Sequence, residues 1–248
     1  MTAQRIIDAM HAGSPLVFGH RGAKAYAPMN TLPAFELAAA QGAHGVELDV
    51  HRSQDGHGVL MHDFMVDATT NGSGRITDMT LAELKALDAG RWFGPAFAGT
   101  PVPTLDEVFE AVGQRLFINV EIKAEGPTTD GVEEVVAACI KRHNMQERVL
   151  VSSFNPPTLV RFRALLPAVM IGYLFHGPVI ALPHDATYEA YHPHHEMVNA
   201  NLIELCRRHQ KFINVWTVND PARAVELVRM GVHGIVTDNP DTVLAALR

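Results

Sequence analysis

The sequence has little cysteine and lacks any long hydrophobic run. Its 248 residues include two cysteines, Cys139 and Cys206. Both lie in stretches whose apolar spacing predicts amphipathic helices, so we expect buried free thiols rather than a disulfide, in a reducing compartment. No apolar run of about 18 residues occurs, and residues 1–15 carry charges where a signal peptide would have its apolar segment. These absences predict a cytoplasmic protein without stable membrane insertion.

Positive charge is also scarce. Lys and Arg total 20 against 27 Asp and Glu, which gives a formal net charge of -7, and no basic cluster occurs. This composition argues against nucleic acid or an anionic membrane as the partner and favours a small-molecule substrate. The length is compatible with one α/β barrel of about 250 residues or with two small domains. We predict a single domain over residues 1–248.

An acidic pair in an apolar, β-rich stretch is the clearest chemical signal. Residues 45–52 have strand-like composition, and Glu47 and Asp49 are two positions apart, so strand periodicity directs both carboxylates to one face. Two unpaired carboxylates on a buried face would be costly unless a cation or hydrogen-bond donors met them. A solvated edge strand is the alternative. An Asp-Gly turn signal then returns the chain to His62, which favours the metal site because a histidine comes beside the acids.

The chain alternates β-rich runs with helical stretches. Two regions depart from this alternation: residues 64–103, which we interpret as a small inserted subdomain, and the His- and Pro-rich residues 176–195, which we interpret as a degraded unit. The pattern predicts a (β/α)8 TIM barrel with an insertion after strand 2, and an open doubly wound sheet is the alternative. The predicted strands are residues 16–19, 45–52, 116–122, 149–154, 170–175, 212–218 and 234–237. The predicted helices are residues 31–41, 105–112, 130–143, 157–166, 199–209, 220–230 and 240–247.

Polar residues lie at the carboxyl ends of the predicted strands, where parallel barrels collect their chemistry. Three carboxylates, Glu47, Asp49 and Glu121, form a hard oxygen site suited to Mg²⁺ or Ca²⁺. Arg21 and Lys123 add positive charges that a phosphate would need. For Glu121 and Lys123, an internal salt bridge at the barrel rim is the alternative. The set as a whole predicts a metal-assisted reaction on a phosphate-containing substrate.

Three further groups have plain structural interpretations. Trp216 lies on an apolar strand and is typical of a core residue, although its place at the strand end would also suit a ligand platform. The HPHH segment at 192–195 resembles a metal motif in composition, but on a polar loop such histidines are typically solvated. Ser152 and Ser153 lack the G-x-S-x-G turn of serine hydrolases. We therefore expect no nucleophilic serine.

The successive motifs of the chain resemble those of the glycerophosphodiester phosphodiesterase family over nearly its whole length. Their order and spacing carry the resemblance more than any single motif does. This sequence differs from the family motif at one position, where it has Met29 and the family has the Glu of APENT. The motifs are HRG at 20–22, APMNT at 27–31, VELDV at 46–50, MHD at 61–63, TTNGSG at 69–74, PTLDEV at 103–108, EIK at 121–123, VWTVN at 215–219 and VTDNP at 236–240.

The resemblance implies a (β/α)8 barrel that hydrolyses glycerophosphodiesters to glycerol 3-phosphate and an alcohol. Two other interpretations remain. One is a lysophospholipase D-type enzyme on the same barrel, with an apolar patch at residues 93–97, and the other is a catalytically decayed barrel that binds metal or ligand. The roles implied at the matching positions are an acid/base pair at His20 and His62, a divalent-cation site at Glu47, Asp49 and Glu121, phosphate binding by Arg21 and Lys123, and a glycerol contact at Trp216.

None of these motifs contains a good covalent nucleophile for phosphorus. This leaves water or the substrate's own 2-hydroxyl, and we favour a cyclic 1,2-phosphate intermediate because intramolecular attack has a large effective-molarity advantage. Histidine suits both proton transfers, since its ordinary pKa is about 6.5. No aromatic cage or acidic cluster is reserved for the leaving alcohol, so choline, ethanolamine and glycerol headgroups should be accepted within roughly tenfold of one another.

Overall fold

The centre of the molecule is a closed barrel of parallel strands. A computed structural model describes residues 5–177 and 187–248. Its strands are β1 (Leu16–His20), β2 (Gly45–Arg52), β3 (Gly58–Leu60), β4 (Phe117–Ile122), β5 (Val149–Ser153), β6 (Met170–Phe175), β7 (Ala190–Pro193), β8 (Phe212–Val215) and β9 (Gly234–Thr237). All of these except β3 pair in parallel, and the ring closes because β1 pairs with β2 on one side and with β9 on the other. The closed ring confirms the predicted (β/α)8 barrel and excludes an open sheet.

Helices connect the barrel strands, and capping residues explain where several of them begin and end. Thr104 and Glu107 form a capping box at the start of one helix, Asp220 caps another, and Gly231 ends the latter with a φ of 98°. Most bounds lie within one or two residues of those predicted. The helices are α1 (Ile6–His11), α2 (Leu32–Ala40), α3 (Leu81–Lys85), α4 (Leu105–Val112), α5 (Val132–Arg142), α6 (Pro156–Leu165), α7 (Ala200–Arg208), α8 (Pro221–Met230) and α9 (Pro240–Ala246).

The barrel interior changes from apolar to polar along its axis. At the N-terminal end of the strands, Phe18, Phe117 and Phe212 form an apolar cluster that α1 covers with Ile6 and Met10. Because side chains alternate between the two faces of a strand, every second residue from this cluster also points inward. The next inward residues are polar and buried, and they include Asn119, Ser152, His192 and Asn214. The sealed apolar end leaves the C-terminal end for chemistry.

The segment at residues 64–103 lies between β3 and α4. β3 pairs antiparallel with the end of β2, which returns the chain toward the acidic pair. Within the segment, Thr80 and Glu83 form the capping box that starts α3. An apolar cluster packs inside the segment and against the end of the β2–β3 hairpin, and it is separate from the clusters of the barrel. Its members are Val59, Met61, Val66, Ile76, Leu84, Ala89 and Val102.

Two predictions about the later part of the chain were wrong. The strand predicted for residues 212–218 ends at Val215. The HPHH segment was expected on a polar loop, yet His192 lies on β7 and is buried. The prediction for His192 failed because of strand alternation. Ala190 and His192 share the inward face of β7, so the imidazole of His192 points into the barrel. Of the predicted degraded unit at 176–195, residues 178–186 lie outside the described residues.

Both cysteines behave as the composition indicated. Cys139 on α5 and Cys206 on α7 are buried and free. Burial raises the pKa of Cys206 to about 11, which keeps this thiol protonated and unreactive at neutral pH. Within residues 5–177 and 187–248, every helix is too short or too polar to cross a membrane.

Candidate active site

A cavity of about 290 Å³ opens at the C-terminal end of the barrel. Most of the site residues predicted from the sequence line it, and Asp49 lies fully buried in its wall. The wall formed by β1, β2 and β4 is charged, whereas the wall formed by β6, β7 and β8 is mostly apolar. The predicted residues that line the cavity are His20, Arg21, Glu47, His62, Glu121, Lys123 and Trp216.

Three buried carboxylates meet on the charged wall. Glu47 and Asp49 point to the same side of β2, and the register of the sheet places Glu121 of β4 beside Asp49. One oxygen from each of the three lies within 4.8 Å of the others. β2 is hydrogen bonded between β1 and β4 and is buried along its length, so the alternative of a solvated edge strand is wrong.

Asp49 is the member of this group that contacts both neighbouring cations. Its Oδ1 lies 2.8 Å from Lys123 Nζ, and its Oδ2 lies 3.1 Å from Arg21 Nε. Asn30 Nδ2 donates to Oδ2 at 2.7 Å, and the Asp49 backbone N–H donates to Asn30 Oδ1 at 3.2 Å. Burial alone would raise the pKa of Asp49, but Lys123 and Arg21 outweigh it and hold that pKa well below its ordinary value. Asp49 is therefore ionised and fixed in place.

Glu47 and Glu121 are harder to ionise than Asp49. Burial, followed by repulsion from Asp49 and Glu121, raises the pKa of Glu47 well above its ordinary value. Burial also raises the pKa of Glu121, to about 7, although Lys123 Nζ lies 2.6 Å from its Oε1. A group of like charges with this arrangement is costly to ionise by itself. A cation between the carboxylates would remove that cost.

This set of donors fits a hard divalent cation. With all groups ionised, the three carboxylates exceed the charges of Arg21 and Lys123 by one negative charge, and a bound phosphodiester would add a second. A divalent cation neutralises both. The cluster offers carboxylate oxygens, which suit Mg²⁺ or Ca²⁺ better than a metal that prefers sulfur or nitrogen. Glu47, Asp49 and Glu121 can therefore hold such an ion.

Arg21 joins the first two barrel strands at the site. It follows β1 with a φ of 54°, and its backbone N–H donates to Glu47 Oε2 at 3.2 Å. Its side chain reaches Asp49 on one side and Met29 on the other, with Nη1 3.3 Å from the Met29 sulfur. A thioether is a weak neutral acceptor. Met29 therefore leaves the charge of Arg21 directed to Asp49 and the cavity.

His20 is oriented by a carboxylate that the sequence reasoning missed. His20 Nδ1 lies 2.6 Å from Asp238 Oδ1, although the two residues are 218 positions apart, and Asn219 Nδ2 donates to Asp238 Oδ2 at 2.9 Å. Burial opposes ionisation of Asp238, but the hydrogen bond to His20 prevails and its pKa is about 2. Burial lowers the pKa of His20 despite that partner. A carboxylate at Nδ1 selects the tautomer with its proton there, which leaves Nε2 as the acceptor.

His62 approaches the same cavity from the loop after β3. Its Nδ1 lies 2.7 Å from Asp63 Oδ1, so this imidazole also has one nitrogen on a carboxylate. Burial lowers the pKa of His62 against the attraction of Asp49. Its side chain is 39% exposed, compared with 12% for His20. The two histidines thus reach one cavity from different elements, and His62 is nearer to solvent.

Trp216 forms much of the apolar wall. Its Nε1 donates to the His192 carbonyl oxygen at 2.8 Å, and its ring packs edge-on against Phe154, with centroids 5.4 Å apart. Leu174 and Val236 complete this side. The ring is half-buried, lines the cavity and also packs against the apolar cluster inside the barrel, and its role as a ligand platform stays a prediction.

Other residues singled out in the sequence have structural partners elsewhere. Ser152 Oγ donates to Asn119 Oδ1 at 2.9 Å, and Ser153 Oγ donates to the Ile122 carbonyl oxygen at 2.8 Å, so both hydroxyls are buried and engaged. Within the described residues, the HPHH segment does not bring three metal-binding atoms together. Neither serine nor this histidine segment forms a second reaction centre.

The apolar patch expected at residues 93–97 does not border the cavity. Phe93 packs edge-on against Trp92 and Phe97, with ring centroids 5.7 and 5.5 Å apart. In the part of the chain that the structure describes, none of these three rings belongs to the cavity wall. The patch therefore gives no support to a lysophospholipid site beside the carboxylates.

Sequence comparison relates the chain to one enzyme family. Residues 20–242 match the model of the "Glycerophosphoryl diester phosphodiesterase family". The chain is 41% identical over 237 residues to a glycerophosphodiester phosphodiesterase of Caldanaerobacter subterraneus subsp. tengcongensis, which covers 94% of this chain and 98% of the relative. It is 36% identical to a glycerophosphodiester phosphodiesterase of Bacillus altitudinis, with 91% and 95% covered.

Solved structures show the same fold. A phosphodiesterase of Oleispira antarctica, in complex with the product sn-glycerol-3-phosphate, has a TM-score of 0.89 and 32% identity, with 96% of this chain and 98% of that one covered. A glycerophosphodiester phosphodiesterase of Agrobacterium tumefaciens has a TM-score of 0.82 and 30% identity, with 93% and 99% covered. Both matches extend over the barrel and the site at its C-terminal end.

Proposed function

Because the chain belongs to the glycerophosphoryl diester phosphodiesterase family, we propose that it hydrolyses glycerophosphocholine, glycerophosphoethanolamine and related diesters to glycerol 3-phosphate and an alcohol. The chain is a phosphodiesterase of this family; the particular substrates and the mechanism are the proposal. One observation carries it. A single cavity brings together three carboxylates, two fixed cations and two histidines that each contact a carboxylate.

We assign Glu47, Asp49 and Glu121 to a divalent cation, either Mg²⁺ or Ca²⁺. When bound, such an ion polarises a phosphoryl oxygen as a Lewis acid. Arg21 and Lys123 bind the two non-bridging oxygens of the phosphodiester together with the cation. Their contacts with Asp49 support this role, because ion pairs at 2.8 and 3.1 Å hold both cations in position before substrate arrives.

His20 and His62 transfer the protons. One accepts the proton of the attacking oxygen, and the other donates a proton to the oxygen of the leaving alcohol. Asp238 and Asp63 support these roles because each contacts an Nδ1 atom, which leaves the Nε2 atom of that ring for the substrate. Burial lowers the pKa of each imidazole, which favours the neutral form that the base needs, whereas the histidine that acts as the acid must carry a proton on Nε2 when it donates.

The attacking oxygen is, in this proposal, the 2-hydroxyl of the substrate. The hydroxyls of Ser152 and Ser153 are buried and bonded elsewhere, which supports the absence of a protein nucleophile. Attack by the 2-hydroxyl on phosphorus expels the alcohol and forms a cyclic 1,2-phosphate, which water then opens to glycerol 3-phosphate. An analogue without the 2-hydroxyl should bind but lose nearly all turnover. Brisk hydrolysis of that analogue would instead show direct attack by water.

The activity itself is tested by release of glycerol 3-phosphate from glycerophosphocholine. EDTA should abolish the release, and Mg²⁺ or Ca²⁺ added in excess should restore it. The matched control is the same titration with His20→Asn, which should stay inactive whatever the metal concentration. Full turnover in EDTA would remove the cation from the mechanism.

The organisation of the chain is proposed on separate grounds. We propose one catalytic domain over residues 1–248, with residues 64–103 as an inserted subdomain, supported by the single closed ring and by the separate apolar cluster. The buried free thiols of Cys139 and Cys206 support a cytoplasmic location. A small-molecule substrate without nucleic acid agrees with a cavity of about 290 Å³ and a net charge of -7.

A further inference from the structure

His192 is a buried polar side chain that has no role in the mechanism above. It lies on β7, is 1% exposed and lines the cavity. Its Nε2 atom has no hydrogen-bond partner among the residues that the structure describes. Buried polar atoms are nearly always paired, because an unpaired one loses its hydration without compensation. We therefore expect a polar atom of a bound ligand to form the missing hydrogen bond with His192 Nε2.

The position of His192 is directly opposite the carboxylates. Around the closed ring, β1, β9 and β8 separate β2 from β7 in one direction, and β4, β5 and β6 separate them in the other. The other side chains that line the cavity on this side are mainly apolar, and they include Leu174, Trp216 and Val236. A polar atom of a substrate that crosses the cavity from β2 therefore meets His192 on the far side.

The neighbouring strands make room for this imidazole and hold its backbone. A Cβ atom on Gly172 of β6 would lie 2.4 Å from His192 Nε2, closer than atoms can approach. The His192 carbonyl oxygen accepts the hydrogen bond of Trp216 Nε1 at 2.8 Å. Gly172 thus leaves space for the ring, and Trp216 fixes the strand that carries it. An apolar side chain would have filled this space at lower cost if packing were the only requirement.

His192 can form a hydrogen bond but cannot act as an acid or base at neutral pH. Burial lowers its pKa to about 3, so the imidazole is neutral throughout the range in which the enzyme would work. A neutral imidazole offers one N–H donor and one nitrogen acceptor. Either suits a hydroxyl group, which both donates and accepts.

We infer that His192 recognises the terminal hydroxyl of the glycerol arm, the hydroxyl farthest from the phosphate. The inference rests on the proposed function, in which the phosphate binds at β2 and β4. From there the 2-hydroxyl stays beside the phosphate, since it is on the adjacent carbon. The terminal hydroxyl is one carbon farther and extends across the cavity toward β7. His192 is thus a specificity-determining residue for glycerol.

The test compares two substrates that differ only in this hydroxyl. One is glycerophosphocholine, and the other has propane-1,2-diol in place of glycerol, so that the 2-hydroxyl is kept. Wild-type enzyme should prefer the first by roughly 10- to 100-fold in kcat/KM, because the analogue leaves the buried imidazole unpaired. His192→Leu should abolish the preference, mainly by losing activity on glycerophosphocholine, whereas His192→Gln should keep part of it.

Two controls separate recognition from structure. His195→Leu removes a nearby histidine that does not line the cavity, and it should keep the wild-type preference. The pH profile of His192→Gln should keep both limbs of the wild-type profile, since the residue does not titrate in that range. If His192→Leu does not fold, the same comparison with His192→Gln and with Gly172→Ala, which displaces the ring, decides the question.

The outcomes are distinct. A preference that survives in His192→Leu, or in both substitute variants, would overturn the inference, as would the absence of a preference in wild-type enzyme. Failure of wild-type enzyme to release choline from either substrate would instead overturn the proposed function itself.

Discussion

The two walls of the cavity come from the same barrel repeat, yet they differ in almost every physical property. At the ends of β2 and β4, the inward positions hold the carboxyl groups of Glu47, Asp49 and Glu121, of which Asp49 and Glu121 form ion pairs with Lys123. At the ends of β6 and β7, they hold Leu174 and His192, which are uncharged. The barrel provides equivalent inward-facing positions at the C-terminal ends of its strands, and the residues at these positions determine what each wall can bind. Changes on the charged wall should reduce turnover, whereas changes on the apolar wall should alter which substrate is chosen.

The largest effect is expected from the carboxylates. Glu47→Gln and Asp49→Asn should each lower kcat/KM by about 10³- to 10⁴-fold, since each would weaken binding of the proposed divalent cation, which would supply several kcal/mol of transition-state stabilisation. Their effects on stability should differ in sign. Asp49→Asn leaves Arg21 without its carboxylate partner and Lys123 with Glu121 alone, and it should cost about 3 kcal/mol. Glu47→Gln removes a carboxyl group that is costly to ionise, so it should raise the Tm of the metal-free protein.

Thermal unfolding in EDTA checks this difference. Equal losses of stability in the two variants would mean that Glu47 and Asp49 are held in equivalent surroundings, contrary to the ion pairs of Asp49.

Loss of the carboxylate behind His20 should have the next largest effect. Asp238→Asn keeps the shape but removes the charge that selects the Nδ1 tautomer, so kcat should fall by about 10²- to 10³-fold with little change in KM. Asp241→Asn is the matched control, because Asp241 lies on α9 and contacts Tyr26 rather than a site histidine. Steady-state kinetics would show the split, and similar losses in both variants would contradict a positioning role for Asp238.

The charged wall should also make stability depend on pH and metal together. The pKa of Glu121 is raised to about 7, so the folded metal-free protein binds a proton more tightly than the unfolded chain does. Its stability should therefore decrease as pH rises from about 4.5 to 7, by about 3 kcal/mol. Excess Mg²⁺ or Ca²⁺ should relieve this loss, so that the metal raises Tm by roughly 5–10 °C at pH 7.5 and much less at pH 5.

Differential scanning calorimetry at the two pH values measures this quantity, and Glu121→Gln should reduce the pH dependence, with Glu47 accounting for part of what remains. A metal effect of equal size at both pH values would place the cation elsewhere in the molecule.

A smaller effect is expected from the apolar wall. Trp216→Leu should raise KM for glycerophosphocholine by about tenfold and leave kcat within about threefold, because the ring contributes contact area to binding and no charge to the reaction. The other tryptophan is the control, since Trp92 is 41% exposed and lies outside the cavity wall. A large fall in kcat with unchanged KM would show that Trp216 contributes to the chemical step, as the residues of the charged wall are expected to do.

The smallest effect concerns the leaving alcohol. Among residues 5–177 and 187–248, neither wall holds an aromatic cage for a quaternary ammonium. Choline, ethanolamine and glycerol headgroups should therefore give kcat/KM values within roughly tenfold of one another. Parallel assays of the three diesters measure this. A preference of more than about a thousandfold would require a headgroup site beyond the two walls.

The fold and the acidic pair were predictable because they depend on local patterns. Strand and helix periodicities define the repeating units, and the i, i+2 spacing of Glu47 and Asp49 is visible in the sequence itself. The structure confirms the barrel and brings the predicted residues into one cavity. Their individual roles remain proposals, because position alone does not show what a side chain binds.

Other parts of the site depend on contacts that local patterns do not show. Asp238 reaches His20 through the closing strand pair, and Asn30 reaches Asp49 after a loop. Both lie within motifs that the sequence reasoning quoted, but a motif does not state which residue its members contact. His192 was misread because its histidine- and proline-rich neighbourhood is typical of a loop, whereas the alternation of Ala190 and His192 was the better signal.

The pairing of β1 with β9 has a consequence for how the active enzyme appears during protein synthesis. His20 leaves the ribosome 218 residues before Asp238, its partner. The residues to which we assign the divalent cation and the phosphate are all made within the first half of the chain, ahead of β9 and the Asp238 that follows it. A nascent chain, or one truncated before β9, can therefore contain all of these charged residues while His20 lacks the carboxylate that orients it. We expect efficient hydrolysis only after β9 pairs with β1 and closes the barrel.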